Sequence, residues 1–137
     1  MRLRYCIVGG GIAGTTAAET IRERDPKGDI VLVSAEPHPL YSRVMLPSYV
    51  AGEVGREKVM MRSLRDYAER AIRFYSSERV TEIDKERCAV RIASGRVFEY
   101  DKLLVATGGR PVEWAPGTAV SEHIFRLHTI DDAERLR

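Results

Sequence analysis

The pattern of apolar and polar residues at the start of the chain predicts a strand, a turn, a helix and a second strand. Tyr5–Val8 is a compact apolar run ending in glycines, which is typical of a strand buried on both faces of a parallel sheet. From Ile12 to Arg24 the spacing is helical, and Asp25–Gly28 ends this helix because proline and glycine favour turns. Residues 30–33 are a second buried strand. The helix is predicted to turn a face of mostly small side chains to the sheet: Ala13, Gly14, Ala17, Ala18 and Ile21.

The middle of the chain predicts a long loop followed by a short helix. Residues 37–57 contain three prolines and are interpreted as a loop, and a loop this long in a compact domain is usually functional. Ser63–Asp66 has the pattern of a capping box, which begins a helix. The apolar face of this second helix is predicted to contain Leu64, Tyr67, Ala68 and Ala71.

The remaining elements predict a mixed sheet architecture. Residues 72–75 read as a short strand, residues 79–100 as an antiparallel meander, and residues 103–106 as another buried strand. Thr129 is the predicted N-cap of a last helix that continues to Arg137. Because one helical turn is barely stable by itself, we expect a truncated domain; the alternative is a short terminal helix docked on this domain.

Composition narrows the class of protein. The chain has 137 residues, 44% of them hydrophobic, and a net charge of +2 from interleaved acids and bases, so neither nucleic acid nor a membrane surface is an expected partner. No apolar run suits a membrane span or a signal peptide, and we therefore expect a cytoplasmic protein. Two cysteines, Cys6 and Cys88, are too few for a disulfide framework, and no metal site is expected.

A glycine motif after the first strand predicts a phosphate-binding turn. Residues 9–14 contain G-x-G-x-x-G, in which Gly9 permits a tight turn, Gly11 lets the backbone approach a diphosphate and Gly14 lets helix and strand pack closely. Gly10 and Ala13 belong to the same cradle. Glu36 lies 25 positions after Gly11 and is expected to bind the ribose of an adenine dinucleotide, although a structural turn and a solvated acid would give the same pattern.

The second half of the chain favours FAD over NAD as the dinucleotide. After the meander, residues 106–111 read A-T-G-G-R-P and resemble the A-T-G-x-x-P motif, the second FAD signature of the pyridine nucleotide–disulfide oxidoreductase superfamily. With the glycine motif, this resemblance covers nearly the whole chain. It implies an α/β, three-layer Rossmann-like FAD-binding fold, in which a parallel sheet with helices is joined by the antiparallel meander.

Within that superfamily, residues 36–52 resemble the flavin loop of single-flavin NAD(P)H reductases, such as rubredoxin reductases, ferredoxin reductases and the flavin part of assimilatory nitrite reductases. The resemblance implies that Arg43 is a cationic partner of the cofactor and that Val80 contacts the adenine. A surface cation at Arg43 and core packing at Tyr41 are the structural alternatives. The other cofactor-binding positions carried over are Pro37, Leu46, Pro47, Ala106, Thr107, Gly108 and Arg110.

Two departures from relatives limit the chemistry. Residues 47–50 lack the lysine that many relatives carry there, and the segment after Glu36 lacks the cysteines of the disulfide reductases, so no thiol relay is expected. His38, His123 and His128 have no partner at a recognisable spacing, and no catalytic residue is assigned.

The resemblance also implies what this segment does in a longer parent. Residues 1–117 are expected to be the first segment of the FAD domain, and residues 118–137 the exit toward an NAD(P)-binding domain. The parent would pass electrons from NAD(P)H through FAD to a small acceptor or a redox protein, whereas this segment alone would be inactive; a homodimer is possible. Two alternatives stay open: a non-catalytic module that binds ADP or NAD, and an interaction subunit completed by a separate chain.

Overall fold

A computed structural model describes residues 1–112 and 125–137. They divide into two compact units, the first made of Met1–Leu40 and Arg62–Gly108 and the second of Tyr41–Met61 and Gly109–Arg137. The strands are β1 (Arg4–Val8), β2 (Asp29–Val33), β3 (Ile72–Tyr75), β4 (Val80–Asp84), β5 (Ala89–Ile92), β6 (Val97–Glu99) and β7 (Lys102–Val105). The α-helices are α1 (Ile12–Arg24), α2 (Leu46–Val50), α3 (Arg56–Val59), α4 (Leu64–Glu69) and α5 (Ile130–Leu136), and Arg43–Met45 is a 3-10 turn.

The first unit is built on a four-stranded parallel sheet in the order β3-β2-β1-β7. Its two central strands are buried on both faces, as their uninterrupted apolar runs predict. On one face, Ile7, Ile30 and Leu32 pack with Ala18 of α1 and Tyr67 of α4. This confirms the predicted strands at residues 5–8 and 30–33 and the helix over 12–24.

The opposite face of the parallel sheet is covered by the antiparallel sheet β4-β5-β6. Cys6 and Val8 of β1 pack there with Val90, Ile92 and Phe98 of the meander. Helices, parallel sheet and meander form three layers, so the predicted three-layer α/β fold is confirmed. Since burial raises the pKa of the Cys6 thiol to about 11, this side chain acts as a small neutral hydrophobe.

Three details of the sequence interpretation were wrong in this unit. Helix α4 ends at Glu69, and Ala71 follows it with φ +50°, so the predicted apolar face reduces to Tyr67, while Leu64 and Ala68 are exposed. On α1, Ala13 is exposed and Thr15 is buried instead. The predicted burial of the last strand is also wrong, because β7 lies at the sheet edge with Leu104 39% and Val105 55% exposed.

The second unit is helical where a loop was expected. Residues 43–59 contain the 3-10 turn, α2 and α3, which pack with α5 around a core of Tyr41, Leu46, Tyr49, Val59, Ile130 and Ala133. Proline at the start of α2 suits a helix because the first-turn N–H groups need no intrahelical partner. The core burial of Tyr41 matches the structural alternative given for that residue. The expected boundary between residues 117 and 118, like His123, lies outside the described residues.

The terminal helix is capped as predicted. The Thr129 hydroxyl accepts from the Asp132 N–H, and the Asp132 carboxylate accepts from the Thr129 N–H at 2.8 Å. Ile130 and Ala133 are fully buried, so α5 packs into the core of the second unit. Across residues 1–112 and 125–137, no helix is long and apolar enough to span a bilayer.

Candidate functional site

The carboxyl ends of the parallel strands meet at one edge of the first unit. The Gly9 N–H donates to the Val33 carbonyl at 2.8 Å, and the Ala106 N–H donates to the Val8 carbonyl at 2.7 Å. These bonds extend the β2-β1-β7 ladder into the loops that carry the two predicted signatures. In open α/β sheets, ligands bind at this edge, where loops from neighbouring strands come together.

The three motif glycines lie in three different steric environments. Gly9 has φ +117°, and a β-carbon there would clash with the Ala106 carbonyl, so a side chain is excluded on two counts. A β-carbon on Gly14 would clash with the Gly9 carbonyl. Gly11, in contrast, is exposed and has no atom within 4 Å of the position of a β-carbon, so its backbone is open to a ligand.

The N-terminus of α1 provides the electrostatics of an anion site. Gly11 is its N-cap, no side chain caps the helix, and its first turn contains no acid. The first N–H groups of a helix and its partial positive charge then favour an anion. Together with the open Gly11 backbone, these donors fit the diphosphate of a dinucleotide. We expect Ala13, exposed in the first turn of α1, to present its N–H in this group.

Glu36 has a fixed backbone beside the glycine turn. Its N–H donates to the Ser34 hydroxyl at 3.3 Å, and its carbonyl accepts from the Ser77 N–H at 3.1 Å. Ser34 is buried, and its Cβ would lie 2.7 Å from a β-carbon on Gly10. Ser34 therefore links the glycine turn to the acid expected to bind ribose. The exposed Pro37 follows Glu36 directly.

The segment from β3 to β4 is tied to the same edge. The Glu78 N–H donates to the Ser34 carbonyl at 2.9 Å, two residues before β4 begins at Val80. Val80 is half-buried and packs against the core beneath the meander. Val80, the residue expected to contact adenine, thus follows two positions after Glu78, whose N–H is bonded to the residue directly after β2.

The second signature follows β7 on the other side of β1. Ala106 contributes backbone that approaches Gly9 too closely for a side chain there. Thr107 and Gly108 are exposed, and Gly108 has φ +70°, a conformation that favours glycine. The first unit therefore brings together Gly9, Gly10, Gly11, Gly14 and Ala106 at one strand edge.

Four predicted residues lie in the second unit instead, namely Arg43, Leu46, Pro47 and Arg110. There, the Arg43 guanidinium donates to the His128 carbonyl and lies 5.3 Å from the centre of the Tyr41 ring. Leu46 is buried in that unit's own core, whereas Pro47 and Arg110 are exposed. Their contact with a cofactor stays a prediction.

Sequence reasoning missed the polar groups behind the cradle. These are the buried side chains of Ser34 and Thr15 and the hydroxyl of Tyr67, whose oxygen lies 3.0 Å from that of Thr15. A signal was present, since Thr15 follows Gly14 on a face that must pack against the sheet. Among the described residues, no group of three or more His, Cys, Asp or Glu side chains could hold a metal ion.

Comparison with known proteins defines the class of protein to which this fold and site belong. Residues 3–137 match the family described as pyridine nucleotide-disulphide oxidoreductase, and the chain belongs to that family. Among curated relatives, it is 38% identical over 136 residues to the probable ferredoxin reductase CtmF of Castellaniella defragrans, covering 98% of this chain and 33% of that protein. It is 36% identical over 135 residues to putidaredoxin reductase CamA of Pseudomonas putida, covering 96% of this chain and 32% of that protein.

A solved structure agrees with these relatives. The crystal structure of the covalent putidaredoxin reductase–putidaredoxin complex matches with a TM-score of 0.86 and 34% identity, over 96% of this chain and 33% of that chain. The chain therefore spans about a third of the length of the relatives it matches.

Proposed function

We propose that this chain forms the first part of the FAD-binding domain of an NAD(P)H-dependent flavoprotein reductase. The observation that carries the proposal is the uncapped N-terminus of α1 behind the open Gly11 backbone, at the carboxyl edge of a parallel sheet. The meander and the Thr107–Gly108 segment, where Gly108 has a positive φ, support FAD in particular, because a plain NAD-binding domain would continue with alternating strands and helices.

Each part of the cofactor would have its own set of residues. Backbone N–H groups from Gly9 to Gly14 would hold the diphosphate, and Glu36 would accept hydrogen bonds from the ribose hydroxyls. Pro37 and Val80 would lie by the adenosine half. Residues 106–108 would pass beneath the diphosphate or flavin, and Arg43, Leu46, Pro47 and Arg110 would serve the flavin half.

The names of the relatives support a redox protein as the acceptor, since they include a ferredoxin reductase and a reductase solved in complex with putidaredoxin. When bound, FAD would accept two electrons from a nicotinamide and release them to the acceptor. The residues of this chain would bind and orient it. We further propose that the protein works in the cytoplasm and that homodimer formation is compatible with the fold.

The test is the absorbance spectrum of the purified full-length protein, followed by rapid mixing with NADH or NADPH. We expect flavin bands that bleach with one or both nucleotides, and an at least tenfold weaker affinity for FAD in Glu36→Ala, since a charged acceptor would be lost. The control Glu82→Ala removes an exposed acid of the meander and should bind FAD normally. A protein that neither retains nor rebinds FAD contradicts the proposal.

A second candidate is an interaction subunit whose fold a separate chain completes. It is favoured by the edge position of β7, where Leu104 and Val105 are partly exposed. The two candidate functions are distinguished by the mass of the native protein, measured first intact and then under denaturing conditions. A stable heteromeric partner would favour the second candidate.

A further inference from the structure

A line of hydrogen bonds, buried at Tyr67 and partly buried at Gly10, runs from Leu40 to the glycine turn. The Leu40 N–H donates to the Tyr67 hydroxyl at 3.3 Å, the Tyr67 and Thr15 hydroxyls lie 3.0 Å apart, and the Thr15 hydroxyl donates to the Gly10 carbonyl at 3.4 Å. Thr15 is 0% and Tyr67 1% exposed, so water does not compete for these groups. The function assigned so far uses neither side chain.

The groups at the two ends of this line determine which hydroxyl donates and which accepts in each hydrogen bond. An N–H can only donate and a carbonyl can only accept, and each hydroxyl has one hydrogen. Since the hydrogen of Thr15 is directed to Gly10, that of Tyr67 must be directed to Thr15. All the bonds therefore point toward the Gly10 carbonyl and reinforce one another in a buried setting.

The orientation of the Gly10 carbonyl decides the orientation of the next amide. In a trans peptide, the carbonyl oxygen and the following N–H point in opposite directions, and the described residues contain no cis bond. Holding the Gly10 oxygen inward against Thr15 therefore turns the Gly11 N–H away from the core. Gly11 is exposed and has open space beside it, where a phosphate could approach.

The ring of Tyr67 supports the same peptide by a second route. It stacks on Phe74 with ring centres 4.6 Å apart. Phe74 Cε2 in turn would lie 3.2 Å from a β-carbon on Gly10. The hydroxyl of Tyr67 thus reaches the Gly10 carbonyl through Thr15, and its ring backs Phe74, which borders the space beside Gly10.

We propose that Tyr67 and Thr15 are positioning residues that hold the Gly11 amide toward the diphosphate of the cofactor. The inference rests on the proposed function, because it requires FAD to bind at the glycine turn. A preoriented amide lowers the entropic cost of binding, since the peptide need not be ordered when the ligand arrives.

The test compares Tyr67→Phe with Tyr5→Phe in the full-length protein. Tyr67→Phe keeps the stacked ring and removes only the hydroxyl. The control Tyr5→Phe removes a hydroxyl bonded to Asp25, at the other end of α1. FAD affinity is measured on the apoprotein, and the amide proton shift of Gly11 is recorded with ¹⁵N-glycine labelling before and after addition of FAD.

We expect the FAD affinity to fall about two- to tenfold in Tyr67→Phe and in Thr15→Val, as expected for one lost hydrogen bond. The FAD-induced shift of the Gly11 amide should shrink in both variants. Thr15→Ser keeps the hydroxyl and should restore both, and Tyr5→Phe should leave both unchanged.

Equal affinity and an equal Gly11 shift in wild type and Tyr67→Phe would overturn the positioning role while leaving FAD binding intact. A wild-type apoprotein that does not bind FAD would overturn the proposed function and this inference with it. A fall in thermal stability alone, with an unchanged Gly11 shift, would make Tyr67 a structural residue only.

Discussion

Gly14 of helix α1 packs directly on the carbonyl of Gly9, so closely that a β-carbon on Gly14 would overlap that oxygen. We expect Gly14→Ala to lower the free energy of unfolding by about 1–3 kcal/mol, or to prevent folding, because helix and strand must separate. Urea denaturation measures the change. A variant as stable as wild type would show that this contact is not tight.

Gly11→Ala is the matched variant in the same motif. Its β-carbon would enter open space at φ −76°, so we expect the stability loss to stay below about 1 kcal/mol. If the Gly11 backbone lies against a phosphate, FAD affinity should nevertheless fall. Loss of stability without loss of affinity would contradict the assignment of Gly11 to the diphosphate.

The ion pair between Glu19 and Arg62 is predicted to stabilise the first unit. Two nitrogens of Arg62 contact the Glu19 carboxylate at 2.7 and 3.1 Å, and the Arg62 N–H donates to the Leu40 carbonyl. We expect Glu19→Gln to lower the free energy of unfolding by about 1–2 kcal/mol. Glu69→Gln, which alters the exposed pair with Arg65, should change it by less than about 0.5 kcal/mol.

The same pair predicts a pH dependence. The hydrogen bond from Arg62 holds the pKa of Glu19 below its usual range. The carboxylate therefore contributes stability fully above its unfolded pKa of about 4.3, and this contribution is lost as the pH falls through the lowered folded value. Glu19→Gln should lack this part of the acid-induced loss; parallel wild-type and variant curves below pH 4 would contradict the prediction.

Asp132 is predicted to stabilise helix α5 through its capping box. Burial alone would raise the pKa of this carboxyl, but hydrogen bonds from Thr129 and the His128 N–H, with help from Arg135, lower it to about 2. Its contribution should be complete above pH 4 and disappear as the pH falls toward 2. At pH 7, Asp132→Ala should cost about 1 kcal/mol and increase amide hydrogen exchange in residues 130–136. Thr129→Ser, which keeps the hydroxyl, should exchange as wild type does.

The two cysteines are predicted to differ in reactivity. Cys6 is 1% exposed, and its thiol pKa is raised to about 11 by burial, whereas Cys88 is exposed in the turn between β4 and β5. Because the thiolate is the reactive form, iodoacetamide at pH 8 should modify Cys88 and spare Cys6 until the protein unfolds. Peptide mapping by mass spectrometry reads both sites, and early labelling of Cys6 would contradict the packing of β1.

The positions of most elements followed from local pattern. Strands β1 and β2 are apolar after their first residue, α1 lies between a glycine turn and a proline–glycine turn, and both capping boxes begin helices. Each of these signals depends only on residues that are close together in the sequence, so it can be recognised before the fold is known. The helices at residues 43–59 were missed because their length is below that of a stable isolated helix, and packing around Leu46 and Val59 supplies the stabilisation.

By itself, then, the sequence determined the glycine turn, the succession of strand, turn, helix and strand at the start of the chain, and the family, because these depend on residue types at fixed spacing. Only the tertiary structure decided which side chains stand behind the turn. Thr15 and Tyr67 are 52 positions apart in the chain, and nothing in their spacing indicates that their hydroxyls meet at 3.0 Å. The tertiary structure also decided that β7 is an edge strand, since an apolar run favours burial but its neighbours in the sheet determine how much is covered.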